Sequence, residues 1–529
     1  MLLLRVGIDV GGTHTDAVLM NKATVVATVK TPTTGDVTTG IVTALRQLLT
    51  SCGAGHDQID AVMIGTTHFT NALVTGRGLA RTAVVRLALP ATAALPPTVG
   101  WPDRLINAIQ PSIHMCHGGV EFDGRPISPL IPAELEQVAE HLHRHDIATV
   151  AISSVFSPVS QEFEEHAAAL LLAQLPQLHL SMSHEIGRIG LLERENATII
   201  NACLRDLAEE IVEAFTAALA AVGVHAPLYL SQNDGTLMDA QYTRRYPVRT
   251  FASGPTNSMR GAAFLAEQSD CAVVDIGGTT TDVGVLSAGY PRQATGEVDI
   301  GGVRTNFRMP DILSVGLGGG SRVVQSPTLQ IGPDSVGYQL TSQALVFGGA
   351  VLTATDLAVA AGLADIGDRG LVAHLDRRLV RRGITAMAAQ VADRVEQMRT
   401  SPTPLPVIVV GGGSVLMPQV LPSGASLHRP EHHAVANAIG AAIGQIGGEV
   451  DRLYAITAAH TRDEVLHEAR LEAIDRAYAA GAAAGSVEIA EMEEVHVPYL
   501  PGNAVRVRVR AVGDLHLVHD PAPSRQEGP

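Results

Sequence analysis

Two stretches of this chain nearly repeat each other, and that repeat restricts the fold more than any other feature. Residues 6–20 read VGIDVGGTHTDAVLM, and residues 273–287 read VVDIGGTTTDVGVLS, with Asp9 aligning on Asp275. In each, an apolar strand ends at an acid, two glycines follow, and hydroxyl residues lead into a second strand. Gly11 and Gly12 let backbone amides approach phosphate oxygens without Cβ obstruction, and Thr13 and Thr15 add hydroxyl donors. Gly277, Gly278, Thr279 and Thr280 offer the same set in the second copy. Asp9 and Asp275, at strand ends, can hold Mg²⁺ directly or through water. A tight hairpin with turn glycines accounts for one such copy as well as a phosphate turn does. Two copies with matching acids and hydroxyls favour two similar lobes closing on one nucleotide.

Composition agrees with a large α/β protein. Of 529 residues, 46% are hydrophobic, 17% charged and only 3% aromatic, so small residues carry much of the packing. A formal charge of −16 argues against a nucleic-acid or anionic-membrane surface. Cys52, Cys116, Cys203 and Cys271 lie far apart, without zinc or iron–sulfur spacing. Three leucines before Arg5 are too few for a signal-peptide core, and no apolar run approaches the roughly 20 residues a bilayer span needs. A reduced, soluble, cytoplasmic protein is the expectation.

Periodicity predicts strands at 3–10, 15–21 and 24–30, then an amphipathic helix from Thr34 to Cys52 with Ile41, Leu45, Leu48 and Leu49 inward. Strand 60–65, helix 68–75 and strand 81–87 follow, and 88–131, rich in Pro and Gly, reads as a long irregular excursion. Helix 132–145, strand 147–152, helix 159–174 and strand 177–182 continue the alternation. A helical stretch covers 189–222, and another helix 254–267. A third glycine site, PVIVVGGGS (406–414), brings Gly411, Gly412 and Gly413 to the end of a buried strand, suited to a purine or ribose lying on backbone. The small-residue stretch AVANAIGAAIGQIGG falls in a helix expected at 432–449. Beyond it, helix 461–484, strand 486–497 and VRVRVRAV (505–512), with valines alternating against arginines, read as a small α+β region with a half-buried antiparallel strand. Residues 516–529 read as a frayed tail. The expected domains are 1–185, 186–455 and 456–529.

The two phosphate-type turns, GGGS and the small-residue helix occur in the order seen in the actin-like and sugar-kinase ATPase superfamily. More narrowly, the words GIDVGGTHTD (7–16), GTTHFTNALV (65–74), RENATIINA (194–202), FASGP (251–255), VVDIGGTTTDVG (273–284), VGLGGGSRV (315–323) and HHAVANAIGAA (432–442) resemble the A-subunit family of ATP-dependent hydantoinases and 5-oxoprolinases, with acetone carboxylase relatives. The resemblance implies two actin-like (ribonuclease H-like) lobes with a cleft between them. It also implies ATP and Mg²⁺ as cofactors, and phosphorylation of the carbonyl of a cyclic amide. Within it, Thr66, Thr67 and Asn71 are candidates to hydrogen-bond the γ-phosphate or the acceptor, and His68 is a candidate base; helix capping competes for Thr66 and Thr67. Gly318, Gly319 and Gly320, with Ser321, are a candidate backbone anion site. Glu193 and Arg194 read as a substrate or lobe-closing pair, or more plainly as a solvated helix face. Asp234, in the Asn233-Asp234-Gly235 turn, is a weaker base candidate than Asp9 or Asp275.

The chain departs from the family pattern at Asp311-Ile312-Leu313, where relatives carry Asp-x-His, and it is shorter than familiar A subunits. Nothing in the sequence supplies a hydrolytic nucleophile or a di-metal cluster, so the resemblance implies a B-type partner subunit and a hetero-oligomer. A stand-alone small-molecule kinase and an actin-like regulatory ATPase are the competing readings.

Overall fold

The computed structural model describes residues 3–33, 37–294, 296–325, 328–457, 460–498 and 503–517. Each copy of the repeat forms an antiparallel hairpin at the heart of a sheet. Leu4–Val10 pairs with His14–Asn21 so that Asp9 faces Asp16, and runs parallel to Ile59–Thr66 with Asp9 beside Gly65. Cys271–Ile276 pairs with Thr281–Ser287 so that Asp275 faces Asp282, and runs parallel to Val407–Val410. The two acid-bearing strands therefore occupy equivalent positions, with a hairpin partner on one side and a parallel strand on the other.

The first sheet has nine strands, in the order Glu488–His496, Ala504–Gly513, Gln445–Ala455, Thr236–Asp239, Leu228–Ser231, Ile59–Thr66, Leu4–Val10, His14–Asn21, Thr24–Pro32. Val6, Ile8 and Val10 point from it into a core shared with Ile41, Leu45 and Leu48 of the helix Val37–Cys52. Strands from 228–239, 445–455 and 488–513 thus lie in the sheet of Asp9, and the spatial division does not follow the expected boundaries at 185 and 455. The second sheet centres on Cys271–Ile276, and its core includes Val274, Ile276, Leu357, Met387 and Val409. A four-stranded parallel sheet (Ser112–His117, Thr82–Leu89, Thr149–Ser154, His179–Met182) packs its own core on the helices Pro132–His145 and Glu162–Gln174.

Two short helices cross between the main sheets, and glycine makes the crossing possible. A Cβ on Gly261 of Ser253–Ala266 would overlap the Ala436 carbonyl oxygen, and one on Gly440 of Ala436–Ala442 would overlap that of Asn257. A Cβ on Gly7 would likewise strike the Ala438 carbonyl, so Ala436–Ala442 lies directly on the first acid strand.

Several expectations are corrected. The excursion 88–131 contains the helix Asp103–Ile109, anchored by fully buried Leu105 and Ile109, and the edge strand Ser112–His117. The helical stretch 189–222 is two helices, Leu191–Cys203 and Arg205–Ala221. The helix expected over 432–449 ends at Ala442; Gln445–Ala455 is a strand instead, since Ile446 and Val450 alternate into the core and Ala504–Gly513 pairs along its whole length. In VRVRVRAV both faces are buried. Val505, Val507 and Val509 pack in one core with Val465, Ala469 and Ala473 of the helix Arg462–Ala479, while Arg508 and Arg510 are covered on the other face, where Glu449 and Glu491 on neighbouring strands carry the counter-charge. The start of the first helix, 34–36, and the tail from 518 onward lie outside the described residues. Among the described residues no helix is long and apolar enough to cross a membrane.

Candidate functional site

The two hairpin turns meet. A Cβ on Gly278 would lie 3.2 Å from Thr13 Oγ1, so the tip of one turn touches the tip of the other. They close identically: the Gly11 amide donates to the His14 carbonyl at 3.0 Å, and the Gly277 amide to the Thr280 carbonyl at 2.9 Å. The GGGS turn joins them from the second sheet. Gly411 adopts φ 83°, and a Cβ there would overlap Asp275 Oδ1; one on Gly413 would sit 2.7 Å from the Gly277 carbonyl oxygen. Gly412 faces the other lobe, with Lys30 Cε 3.5 Å from where its Cβ would be.

Gly318–Gly320 back the second turn. The Gly319 and Gly320 amides donate to the carbonyls of Gly277 (3.1 Å) and Gly278 (2.7 Å), and the Gly318 amide donates to Ser321 Oγ at 2.8 Å. These amides, expected to cradle an anion, are engaged in holding the turn that carries Gly277 and Gly278.

Asp9 sits at the junction under an uneven set of partners. Asn437 Nδ2 donates to Asp9 Oδ2 and to Asp16 Oδ2, each at 2.9 Å. Lys30 Nζ grips Asp16 through both oxygens, at 2.6 and 2.9 Å. Asp9 Oδ1 is buried and has no hydrogen-bond partner. Burial pushes the Asp9 carboxyl up to about 7, with Asp16 adding to the rise and Asn437 and Lys30 opposing it. Asp275 is also raised, by burial first, against Ser258 and Lys30; Asp282 is pushed up to about 6 by burial despite the Ser314 hydroxyl at 2.5 Å. A buried carboxylate oxygen with no partner costs free energy unless a proton or cation joins it. The donor set therefore fits a hard divalent cation such as Mg²⁺, which takes one or two carboxylates and completes its shell with water and phosphate. Among the described residues no group of three or more His, Cys, Asp or Glu is arranged to cage a metal, and the four cysteines are free.

The GTTH word is brought to the same point. A Cβ on Gly65 would lie 2.5 Å from Asp9 Oδ1. Thr66, buried at the end of Ile59–Thr66, hydrogen-bonds through Oγ1 to His68 Nδ1, and burial holds the His68 imidazole below its ordinary range. Thr67 precedes the helix His68–Thr75 without a side-chain capping bond; Asn71 Nδ2 reaches its hydroxyl at 3.4 Å. A neutral imidazole bonded to a threonine hydroxyl can move a proton without carrying a standing charge.

Other candidates go elsewhere. Arg194 is not on a solvated face: it is fully buried, donating to Ser183 Oγ (2.9 Å), the Ser154 carbonyl (2.5 Å) and the Arg188 carbonyl (2.9 Å). Glu193 lies 3.8 Å from Arg304. Asp234 accepts from the Thr236 amide and hydroxyl and is held below the usual carboxylate range despite its burial, Arg510 being the foremost lowering influence. Sequence reasoning missed Asp16, Asp282, Lys30, Ser258 and Asn437. Asp16 and Asp282 had a signal, standing at matching places in both copies; Asn437 had its place in the word HHAVANAIGAA, and Lys30 had none.

Duplicated hairpins on two sheets, closed tip to tip around paired acids, define an actin-like two-lobed α/β protein. Residues 5–175 match the hydantoinase/oxoprolinase N-terminal region and residues 194–402 match the hydantoinase/oxoprolinase family, and the chain belongs to that family. It is 28% identical over 416 residues to the caprolactamase subunit alpha of Pseudomonas jessenii, a match covering 74% of this chain and 58% of that one. It is 26% identical over 255 residues to the acetophenone carboxylase gamma subunit of Aromatoleum aromaticum, covering 46% and 35%. The chain thus spans less than two thirds of the length of these relatives. In fold it is similar to the ATP-dependent caprolactamase of Pseudomonas jessenii (TM-score 0.76, 19% identity, 97% of this chain and 88% of that one) and to nucleotide-free acetone carboxylase (TM-score 0.68, 16% identity, 97% and 88%).

Proposed function

We propose that this chain is the nucleotide-binding subunit of an ATP-dependent enzyme that activates the carbonyl of a cyclic amide, such as a hydantoin, 5-oxoproline or a lactam, for ring opening with a B-type partner subunit. The observation that carries the reading is the meeting of the two hairpin turns above Asp9, whose Oδ1 lacks a partner. Family membership and the caprolactamase relative support the substrate class.

Asp9 and Asp275 would hold Mg²⁺, and the bound Mg·ATP would supply the phosphoryl group and neutralise charge as it transfers. Gly11, Gly12 and Thr13 in one turn, and Gly277, Gly278, Thr279 and Thr280 in the other, offer amide and hydroxyl donors from opposite sides. Gly411, Gly412 and Gly413, packed closely on Asp275, Lys30 and the Gly277 carbonyl, would present their backbone to the adenosine. Thr66, Thr67, Asn71 and His68 orient the acceptor, with the Thr66–His68 pair able to take or return a proton at the amide. Once its oxygen carries a phosphoryl group, the amide carbon is open to water; the adduct collapses with loss of the ring nitrogen, protonated as it leaves, which opens the ring to an acyl phosphate that a second water hydrolyses to carboxylate and inorganic phosphate. Positioning and charge neutralisation do most of the work in such transfers, and closure of the lobes keeps competing water out.

The test is ATP turnover by the purified chain with hydantoin, 5-oxoproline and caprolactam, alone and with a co-purified partner. Turnover dependent on one of these amides is the expected result. Phosphorylation of a sugar or polyol hydroxyl without any partner would overturn the amide reading in favour of a kinase, and absence of Mg·ATP binding by calorimetry would overturn the nucleotide site itself.

A further inference from the structure

The chain holds 37 Lys and Arg residues, yet only Lys22 and Lys30 are lysine. Lys22 lies exposed in the turn after His14–Asn21 with φ 52°. Lys30 stands on Thr24–Pro32 at the seam between the lobes, its side chain 31% exposed. Its ammonium has three donors, and the structure accounts for them: two contacts to the Asp16 carboxylate at 2.6 and 2.9 Å, and one at 3.2 Å to the Ala434 carbonyl in the short 3-10 turn His433–Val435. Its stem lies against Gly412 of the GGGS turn. Four carboxylates, Asp9, Asp16, Asp275 and Asp282, line this junction, and a triphosphate brought among them needs a protein cation besides any metal. A lysine suits the place where an arginine does not, because a compact ammonium can turn its donors one at a time, whereas a planar guanidinium binds as a fixed fork.

Resting on the nucleotide reading above, we propose that Lys30 is a phosphate-binding latch: it keeps Asp16 and exchanges the Ala434 carbonyl, its longest contact, for a phosphate oxygen of the nucleotide. In the nucleotide-free protein Lys30 fastens the first hairpin to the short turn His433–Val435, its stem beside Gly412; with nucleotide bound, the same ammonium fastens the first hairpin to the ligand.

The two lysines make the test internal to one molecule. The protein is acetylated briefly with an N-hydroxysuccinimide ester, with and without Mg²⁺ and a non-hydrolysable ATP analogue, and each lysine is quantified by peptide mass spectrometry. Lys30 is expected to be protected about tenfold by the analogue while Lys22 reacts equally in both samples. Calorimetry on the same samples reports analogue binding. K30M is expected to bind the analogue at least tenfold more weakly and K30R to recover part of the loss; the labelling result stands on the natural chain even if K30M folds poorly. Binding of the analogue with no change in Lys30 reactivity would overturn the latch and leave the nucleotide site intact. No binding at all would overturn the nucleotide reading, and the latch with it.

Discussion

The uneven environment of Asp9 makes nucleotide binding a proton-releasing event. Its carboxyl, buried and facing Asp16, titrates at about 7 with no cation bound, whereas a carboxylate that binds Mg²⁺ must be ionised. At pH 8 about nine in ten Asp9 groups are ionised, and at pH 6 about one in ten. Apparent affinity scales with the competent fraction, so Mg·ATP should bind about tenfold more weakly at pH 6 than at pH 8, a difference of roughly 1.4 kcal/mol. Isothermal titration in two buffers of different ionisation heat should report release of about 0.9 proton per nucleotide at pH 6, falling to about 0.1 at pH 8. The same shift bears on stability without nucleotide. A carboxyl raised from about 4 in the unfolded chain to about 7 in the folded one stabilises the fold below about pH 4, and that contribution is lost as pH rises through 7. Asp9→Asn should therefore stabilise the nucleotide-free protein at pH 8, on the order of 2–4 kcal/mol, while removing the proton release. Nucleotide binding at pH 6 without proton release, or an Asp9→Asn protein less stable than the parent at pH 8, would refute the reasoning.

Asp275→Ala should abolish ATP turnover while circular dichroism and melting temperature stay close to those of the parent; unchanged turnover in a folded variant would exclude a metal role for Asp275. Gly440→Ala drives a methyl into the Asn257 carbonyl and should cost about 3 kcal/mol or prevent folding, whereas Gly424→Ala, with open space around it but φ 88°, should cost only about 1 kcal/mol; chemical denaturation distinguishes them. Glu164 is fully buried, bonded to His184 Nδ1 at 2.7 Å, Ser183 Oγ at 2.5 Å and the Ser154 amide at 2.9 Å. Its carboxyl is held low despite burial, and His184 is held high by the Glu164 carboxylate, also against burial. The pair is therefore worth most between the two unfolded values, about pH 4.3 to 6.5. It weakens below that range as Glu164 protonates and above it as His184 loses its proton. Glu164→Gln should cost about 3 kcal/mol at pH 6, read by urea denaturation across that range.

The parts of the fold readable in the sequence are those whose signal is local. The helix His68–Thr75 begins at the residue after a threonine pair and ends at Gly76 in the left-handed region, and Pro132–His145 opens on a proline, so periodicity and punctuation agreed at both ends. The hairpins were readable because they occur twice. What failed depended on distant partners. Gln445–Ala455 follows a run of small residues as able to extend a helix as a strand, and it becomes a strand because Ala504–Gly513 pairs with it. Valine–arginine alternation shows that one face is apolar, and leaves open whether the other meets water or, as for Arg508 and Arg510, a row of carboxylates. At the site, the acids and glycines announce themselves by duplication, while the amide on Asp9 arrives from Asn437, and no spacing rule links residues so far apart in the chain.

The order of strands in the first sheet also bears on how the chain is made. Its centre, Leu4–Val10 with His14–Asn21 and Ile59–Thr66, is synthesised long before Gln445–Ala455, which covers the outer side of Thr236–Asp239 and is covered in turn by Ala504–Gly513. Until Gln445–Ala455 and Ala504–Gly513 are made, the growing sheet carries an open edge of unsatisfied amides and carbonyls, a template for pairing with another nascent chain. The strands within 445–513 thereby seal the lobe begun by Leu4–Val10, and a chain cut between Ala455 and Glu488 keeps its acid-bearing strands but leaves the sheet edge sticky.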